Sequence, residues 1–178
     1  MTLATAPPPH TLSSQPRATY ENWRPPIIGV SVLAPVGTTG LVLPCIFGAA
    51  PLLPTGTVEE GQSPEEAAQA VLTGMPDGLP IRCRVVVDHV QMRRRNVITH
   101  LVATESLTVQ EANCLTYRDA RAKVRVLSTA QAIPALPDRS RGRLLLALQA
   151  LAIGATADAG DSQIQRLDAV RRSTPAPV

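Results

Sequence analysis

Between Pro25 and Val58 the chain carries no charged residue. A stretch that long without charge raises the question of a membrane span. A spanning helix needs about 20 uninterrupted apolar residues. Pro35, Gly37, Gly40, Pro44, Gly48, Pro51 and Pro54 break this stretch too often for that. The segments IIGVSVLAPV and GLVLPCIF instead predict two short buried strands joined by a Gly37-Thr38-Thr39-Gly40 turn.

The rest of the chain fits a single core with tails, as expected of 178 residues. Hydrophobic residues make up 44% and charged residues 17%, against about 25% charged in ordinary soluble chains, so a disordered solvating protein is excluded. A net charge of +3 and 2% aromatic residues argue against a dedicated nucleic-acid binder, which needs stacking platforms and a strong basic field. Cys45, Cys83 and Cys114 are too far apart for a zinc site and odd in number. They predict reduced, buried thiols and a cytoplasmic protein. Lys123 is the single lysine among 17 basic residues, a bias typical of a GC-rich genome such as an actinobacterial one.

Residues 1–19, with Pro7-Pro8-Pro9, predict a disordered tail without a secretory signal. After LLPTGTVEEG comes the strongest helix start in the chain. Ser63-Pro64-Glu65-Glu66 offers a capping serine, a proline at the first helical position and a glutamate three residues after the cap. That helix is predicted over Ser63–Thr73, with Gly74 as its stop and Pro76 beyond. RCRVVVDHV and VITHLVATE predict a hairpin with the basic tip Gln91–Asn96, and AKVRVLS a further strand. RGRLLLALQALAI predicts a helix over Arg141–Ile153 with Leu144, Leu148 and Leu151 on one side and Gly154 as its stop. Residues 156–178 turn polar and predict a flexible tail. Tyr20 and Trp23 are expected to seal one end of the core.

In this order of elements, and in the segment LPTGTVEEGQSPEEAAQAVL, the chain resembles the Nudix superfamily over about residues 25–155. The family motif is a glycine, five residues, a glutamate, seven residues, then Arg-Glu-aliphatic-x-Glu-Glu-x-Gly-aliphatic. Gly56 takes the first glycine, Glu59 and Gly61 keep their loop context, and Leu72 matches the aliphatic position. The box is otherwise degenerate. Gln62 replaces the first glutamate, Ala70 the arginine, Val71 the next glutamate, Gly74 and Met75 the Glu-Glu pair, and Asp77 the late glycine. The resemblance implies an α/β fold, a Nudix-like α/β/α sandwich with a mixed sheet spanning residues 20–155.

In that family, glutamates at i, i+3 and i+4 gather on one helical face and hold the divalent cations that activate water and polarise a diphosphate. Val71, Gly74 and Met75 offer no oxygen ligand, and shifting the alignment by one residue restores none. No metal ligand and no catalytic residue is therefore assigned. Glu59, Glu60, Glu65 and Glu66 could approach a cation from the loop side, but first-turn glutamates usually cap and solvate. Arg93, Arg94 and Arg95 are the candidate anion-binding residues, because guanidinium forks match phosphate oxygens. His89 and His100 fall on neighbouring hairpin strands, as a surface pair or as satisfied core residues. Two functions remain open. One is a non-catalytic regulatory or accessory factor binding a small phosphorylated ligand or a protein, without cofactor and without membrane, with a homodimer as one arrangement. The other is a divergent Mg²⁺-dependent hydrolase of nucleoside diphosphate derivatives.

Overall fold

The structure, a computed structural model, describes residues 24–47, 50–161 and 163–169. The expected N-terminal tail, with Tyr20 and Trp23, lies outside the described residues. In chain order the elements are β1 (Ile27–Leu33), β2 (Pro35–Val36), β3 (Gly40–Ile46), β4 (Ala50–Pro51), β5 (Thr55–Thr57), α1 (Pro64–Gln69), β6 (Leu72–Thr73), β7 (Ile81–Met92) and β8 (Arg95–Thr104). There follow α2 (Val109–Cys114), β9 (Thr116–Tyr117), β10 (Ala122–Ser128), α3 (Thr129–Ala135), α4 (Asp138–Ile153), β11 (Ala155–Gly160) and β12 (Gln163–Ala169).

A six-stranded mixed sheet in the order β12-β11-β7-β8-β1-β5 forms the middle layer. β1 runs parallel to β8 and β11 parallel to β7, while β7–β8, β1–β5 and β11–β12 are antiparallel. α1 lies on one face and α4 on the other, so the sheet is apolar on both sides. Val30 and Val32 of β1 join Val102, Ala67, Ala68 and Val71 beneath α1. Leu33 joins Leu101, Ala103, Leu144 and Ala147 beneath α4. β3 divides in the same way, with Val42 toward the α1 side and Leu41 and Leu43 toward the α4 side. The charge-free stretch thus follows from double-sided burial. β3 anchors a second sheet, β10-β3-β2 with β4 at its side, and β6–β9 forms a two-stranded third.

The fold is the expected α/β sandwich with a mixed sheet, with three differences in detail. α1 ends at Gln69 rather than running on to Thr73, because Leu72 and Thr73 leave the helix to pair with Tyr117 and Thr116. Gln69 secures the exit: its side-chain amide donates to the Leu79 carbonyl at 2.8 Å and accepts from the Leu79 N–H at 2.7 Å. α4 starts at Asp138, a turn before Arg141, and ends as expected on left-handed Gly154 (φ 65°). Leu148 and Leu151 are only half-buried, the deepest positions being Leu144, Ala147 and Ala150.

The predicted flexible tail from residue 156 is the third difference. Residues 155–160 form β11 and residues 163–169 form β12, and both extend the main sheet. Ala157 and Ala159 are fully buried under α4. The polar look of ATADAG comes from the residues alternating with these alanines, which point to the other face.

Candidate functional site

The box loop and first helix turn are built as the sequence predicts. Ser63 Oγ accepts from the Glu66 N–H at 3.1 Å, and Glu66 Oε2 accepts from the Ser63 N–H at 2.8 Å. The Ser63 N–H and the Ser63 hydroxyl, which also donates to Glu66 Oε2 at 2.9 Å, hold the Glu66 carboxyl below its ordinary pKa. Glu65 is drawn sideways: Arg84 of β7 donates to it through Nε at 3.1 Å and Nη2 at 2.9 and 3.0 Å. Thr57 Oγ1 donates to Glu59 at 3.4 Å, and the Glu59 N–H donates to Gln62 Oε1 at 3.0 Å. Gly61 turns the loop with φ 79°. Glu60 is exposed.

Beyond the helix the box positions do not share a helical face, which corrects the expectation of a Val71, Gly74, Met75 stripe. Ala70 is the exposed C-cap. Val71 is 1% exposed and packs onto Gly56, and Leu72 is equally buried. Gly74 adopts φ 113°, in the region that favours glycine, with the Cys114 carbonyl pressed against the place of its missing side chain. Met75 packs half-buried on the α1-side core. A divalent cation held in the family's manner needs several carboxylate oxygens in one place. The residues present do not supply them: Val71 is apolar and buried, Glu65 is engaged by Arg84, and Glu66 caps the helix. Among the described residues no three His, Cys, Asp or Glu side chains gather as a ligand set.

A cation of another kind stands beside the loop. Arg118 follows β9, and its Nη1 lies 3.8 Å from where a β-carbon on Gly56 would be. The Arg118 N–H donates to the Val71 carbonyl at 3.4 Å, which ties this arginine to the box segment. Tyr117 Oη donates to the Thr55 carbonyl at 3.1 Å and closes the same corner. Nearby, Arg121 clamps Asp119 through Nη2 at 2.7 Å and holds its pKa down to about 2. Arg118 has no such clamp among the described residues; it is exposed, and its charge adds to the lowering of the Asp119 pKa. Sequence reasoning missed it because its neighbour Gly56 is 62 positions away, and the β6–β9 pairing and the Tyr117–Thr55 bond that bring the two together are not visible in the sequence.

The hairpin tip is tighter than predicted. Met92 pairs with Arg95, which leaves Arg93 and Arg94 alone in the turn and puts Arg95 on β8. Arg93 and Arg94 are exposed, and the Arg94 carbonyl accepts from the Arg24 N–H at 3.2 Å. The tip lies at the far end of β7 from Arg84 and is not brought to the box loop.

His89 and His100 share the α1-side face but are diagonal, since His100 opposes Val87 and His89 opposes Ile98. His89 Nε2 lies 3.4 Å from Asp158 Oδ1 on β11. The two atoms face each other without hydrogen-bond alignment, and that carboxylate oxygen is buried. His100 Nδ1 is buried with no hydrogen-bond partner among the described residues. Burial, reinforced by the Arg84 charge, pushes the His100 pKa below its ordinary value. On the opposite face Asp88, fully buried, accepts from Arg143 Nε at 2.7 Å. An aspartate inside the run VVVDHV was the available signal for that pair. Of the three cysteines, Cys45 is buried and Cys83 partly so, and burial raises both thiol pKa values, whereas Cys114 is exposed at the end of α2, contrary to expectation. No described helix is long and apolar enough to cross a membrane.

No family model matches the sequence, and no curated protein matches it either. Solved structures do match. A Nudix hydrolase from Nitrosomonas europaea is 12% identical, with 78% of this chain and 80% of that chain covered at a TM-score of 0.56. The E. coli ORF135 protein is 13% identical, covers 74% and 94% respectively, and gives 0.53. The MutT protein from Methanosarcina mazei Go1 is 14% identical, covers 73% and 96%, and gives 0.51. At such identity the likeness establishes the fold, and that fold is the Nudix fold.

Proposed function

We propose that this chain puts the Nudix fold to non-catalytic use, as a cytoplasmic regulatory or accessory factor that binds a small phosphorylated ligand without a metal cofactor. The observation that carries this reading is the exchange of charge at the box. Where the family gathers carboxylates around divalent cations, this chain buries Val71 and sets the Arg118 guanidinium beside Gly56. An arginine offers phosphate oxygens the positive charge and directed donors that bound cations otherwise provide, but it generates no hydroxide. Binding is thereby retained and hydrolysis is lost. Arg93 and Arg94 supply a second basic point, remote from the first.

The test is calorimetric titration of the purified protein with Mg²⁺, Mn²⁺, inorganic pyrophosphate and a panel of nucleoside diphosphate derivatives, with product release followed in parallel. The expected result is binding of a diphosphate without metal and without turnover. Arg118→Gln should weaken that binding by about tenfold or more, as for loss of a charged hydrogen bond. Metal-dependent turnover would overturn the reading in favour of the divergent hydrolase.

A further inference from the structure

The outer edge of the main sheet has the features of a pairing surface. The sheet ends at β5 on one side and at β12 on the other. β5 is three residues long, whereas β12 is seven and contains no proline, glycine or lysine. Such an edge is usually blunted by proline, lysine or other charges, or a bulge, or is covered; β12 has a bulge at Gln165 and the charges of Arg166 and Asp168, but no proline or lysine and no covering element among the described residues. Among the described residues β12 pairs only with β11, so its outward row of N–H and C=O groups is open. It also exposes apolar side chains: Ile164 is 38% and Leu167 45% exposed, both on the α4 face opposite Ala159 and Ala157. Ile153, 58% exposed, ends α4 on that side of the sheet.

The order of residues on β12 then selects its occupant. Two copies pairing edge to edge in antiparallel fashion are related by a twofold axis normal to the sheet. Directly opposed residues share a face, so the axis must pass through a residue and not between two. An axis at Arg166 sets Arg166 against its own copy, and an axis at Asp168 sets Asp168 against its own; both oppose like charges. An axis at Gln165 falls on the bulged residue, and Arg166 and Ile164 beside it lie on opposite faces, so they cannot oppose each other there. Only an axis at Leu167 sets Leu167 against Leu167 and, on the other face, Arg166 against Asp168 twice over. Within one chain Arg166 Nε already donates to Asp168 Oδ1 at 2.9 Å, and both side chains are largely exposed. On pairing, the two ion pairs would merge into a four-charge cluster across the seam. Opposite charges and apolar pairs directly across a ladder are the stabilising combinations.

We infer that a second copy of this chain docks antiparallel on β12 with its twofold axis at Leu167, joining two six-stranded sheets into one continuous sheet.

The test is sedimentation of the full chain and of three variants, Arg166→Asp, Asp168→Arg and Leu167→Lys, each checked for an unchanged circular dichroism spectrum and melting curve. The wild type should sediment as a dimer that dissociates on dilution over about a hundredfold range of concentration. Each variant alone should be monomeric. Mixing Arg166→Asp with Asp168→Arg should restore a dimer, because one chain then carries two acids and the other two arginines at the seam. The intrachain pair remains broken in both chains, so recovery on mixing reports the contact between copies. Should a charge-reversed variant unfold, Leu167→Lys alone decides the question. A wild type that is monomeric throughout, a dimer untouched by these substitutions, or two folded variants that do not associate on mixing would overturn the inference.

Discussion

A methyl group of Val71 lies 2.8 Å from the point where a β-carbon on Gly56 would stand. Gly56 of β5 and Val71 beyond α1 are thus in direct packing contact, and each constrains the other. Gly56→Ala should destabilise the fold by about 1–3 kcal/mol through overpacking. In Gly56→Ala/Val71→Ala the added methyl finds room. Chemical denaturation should therefore show a double variant more stable than the sum of the singles predicts, with a coupling of about 0.5–3 kcal/mol.

Arg143 reaches from α4 to the buried Asp88 on β7. Arg143→Met keeps much of the side-chain volume but strips a fully buried carboxylate of its guanidinium. Losing one partner of a buried pair costs about 3–5 kcal/mol. Urea titration should show a lower midpoint by that amount with an unchanged slope.

His100 gives stability a pH dependence. Its folded pKa lies below the unfolded value, chiefly through burial, so the unfolded chain binds the extra proton first. The stabilisation is complete above the ordinary histidine pKa of about 6.5 and is lost as pH falls from there through the folded pKa. Melting curves between neutral and mildly acid pH should show this limb in the wild type. His100→Gln should flatten it.

Ending the chain at Gly154 removes β11 and with it the fully buried Ala157 and Ala159, which pack under α4. The edge of β7 is uncovered at the same time. That shortened chain should lose its cooperative thermal transition. A version cut after residue 169 should keep it.

How much of this was legible depends on whether the deciding contact is local. The capping box of α1 lies within four residues, and it forms as the sequence predicts. Two further boxes, Thr108 with Glu111 and Ser128 with Gln131, start α2 and α3 in the same way, and the pattern was there to be found. The end of α1 was not legible. Gly74 is a sound stop signal, but the helix yields five residues earlier to the pairing of Leu72 with Tyr117, which no window around residue 70 contains. β11 was hidden for another reason: a strand buried through alanines under a helix carries almost no hydrophobic signal. At the site, the capping of Ser63 and Glu66 could be read directly. The approach of Arg118 to Gly56 and the grouping of Arg84, Glu65 and His100 required the register of strands far apart in the chain.

The parallel pairs β1–β8 and β7–β11 also set an order of events. β1 is synthesised long before β8, its neighbour on one side, and β7 long before β11. Non-local pairings of this kind form late, because a long loop must close before any contact is gained. While β11 is still inside the ribosome, the twelve-residue β7 presents a bare backbone edge, with Val85 and Val86 both on the α4 side of the sheet. Completion of the sheet therefore waits for synthesis of β11, and a nascent chain stalled before residue 155 displays the type of surface that holding chaperones recognise.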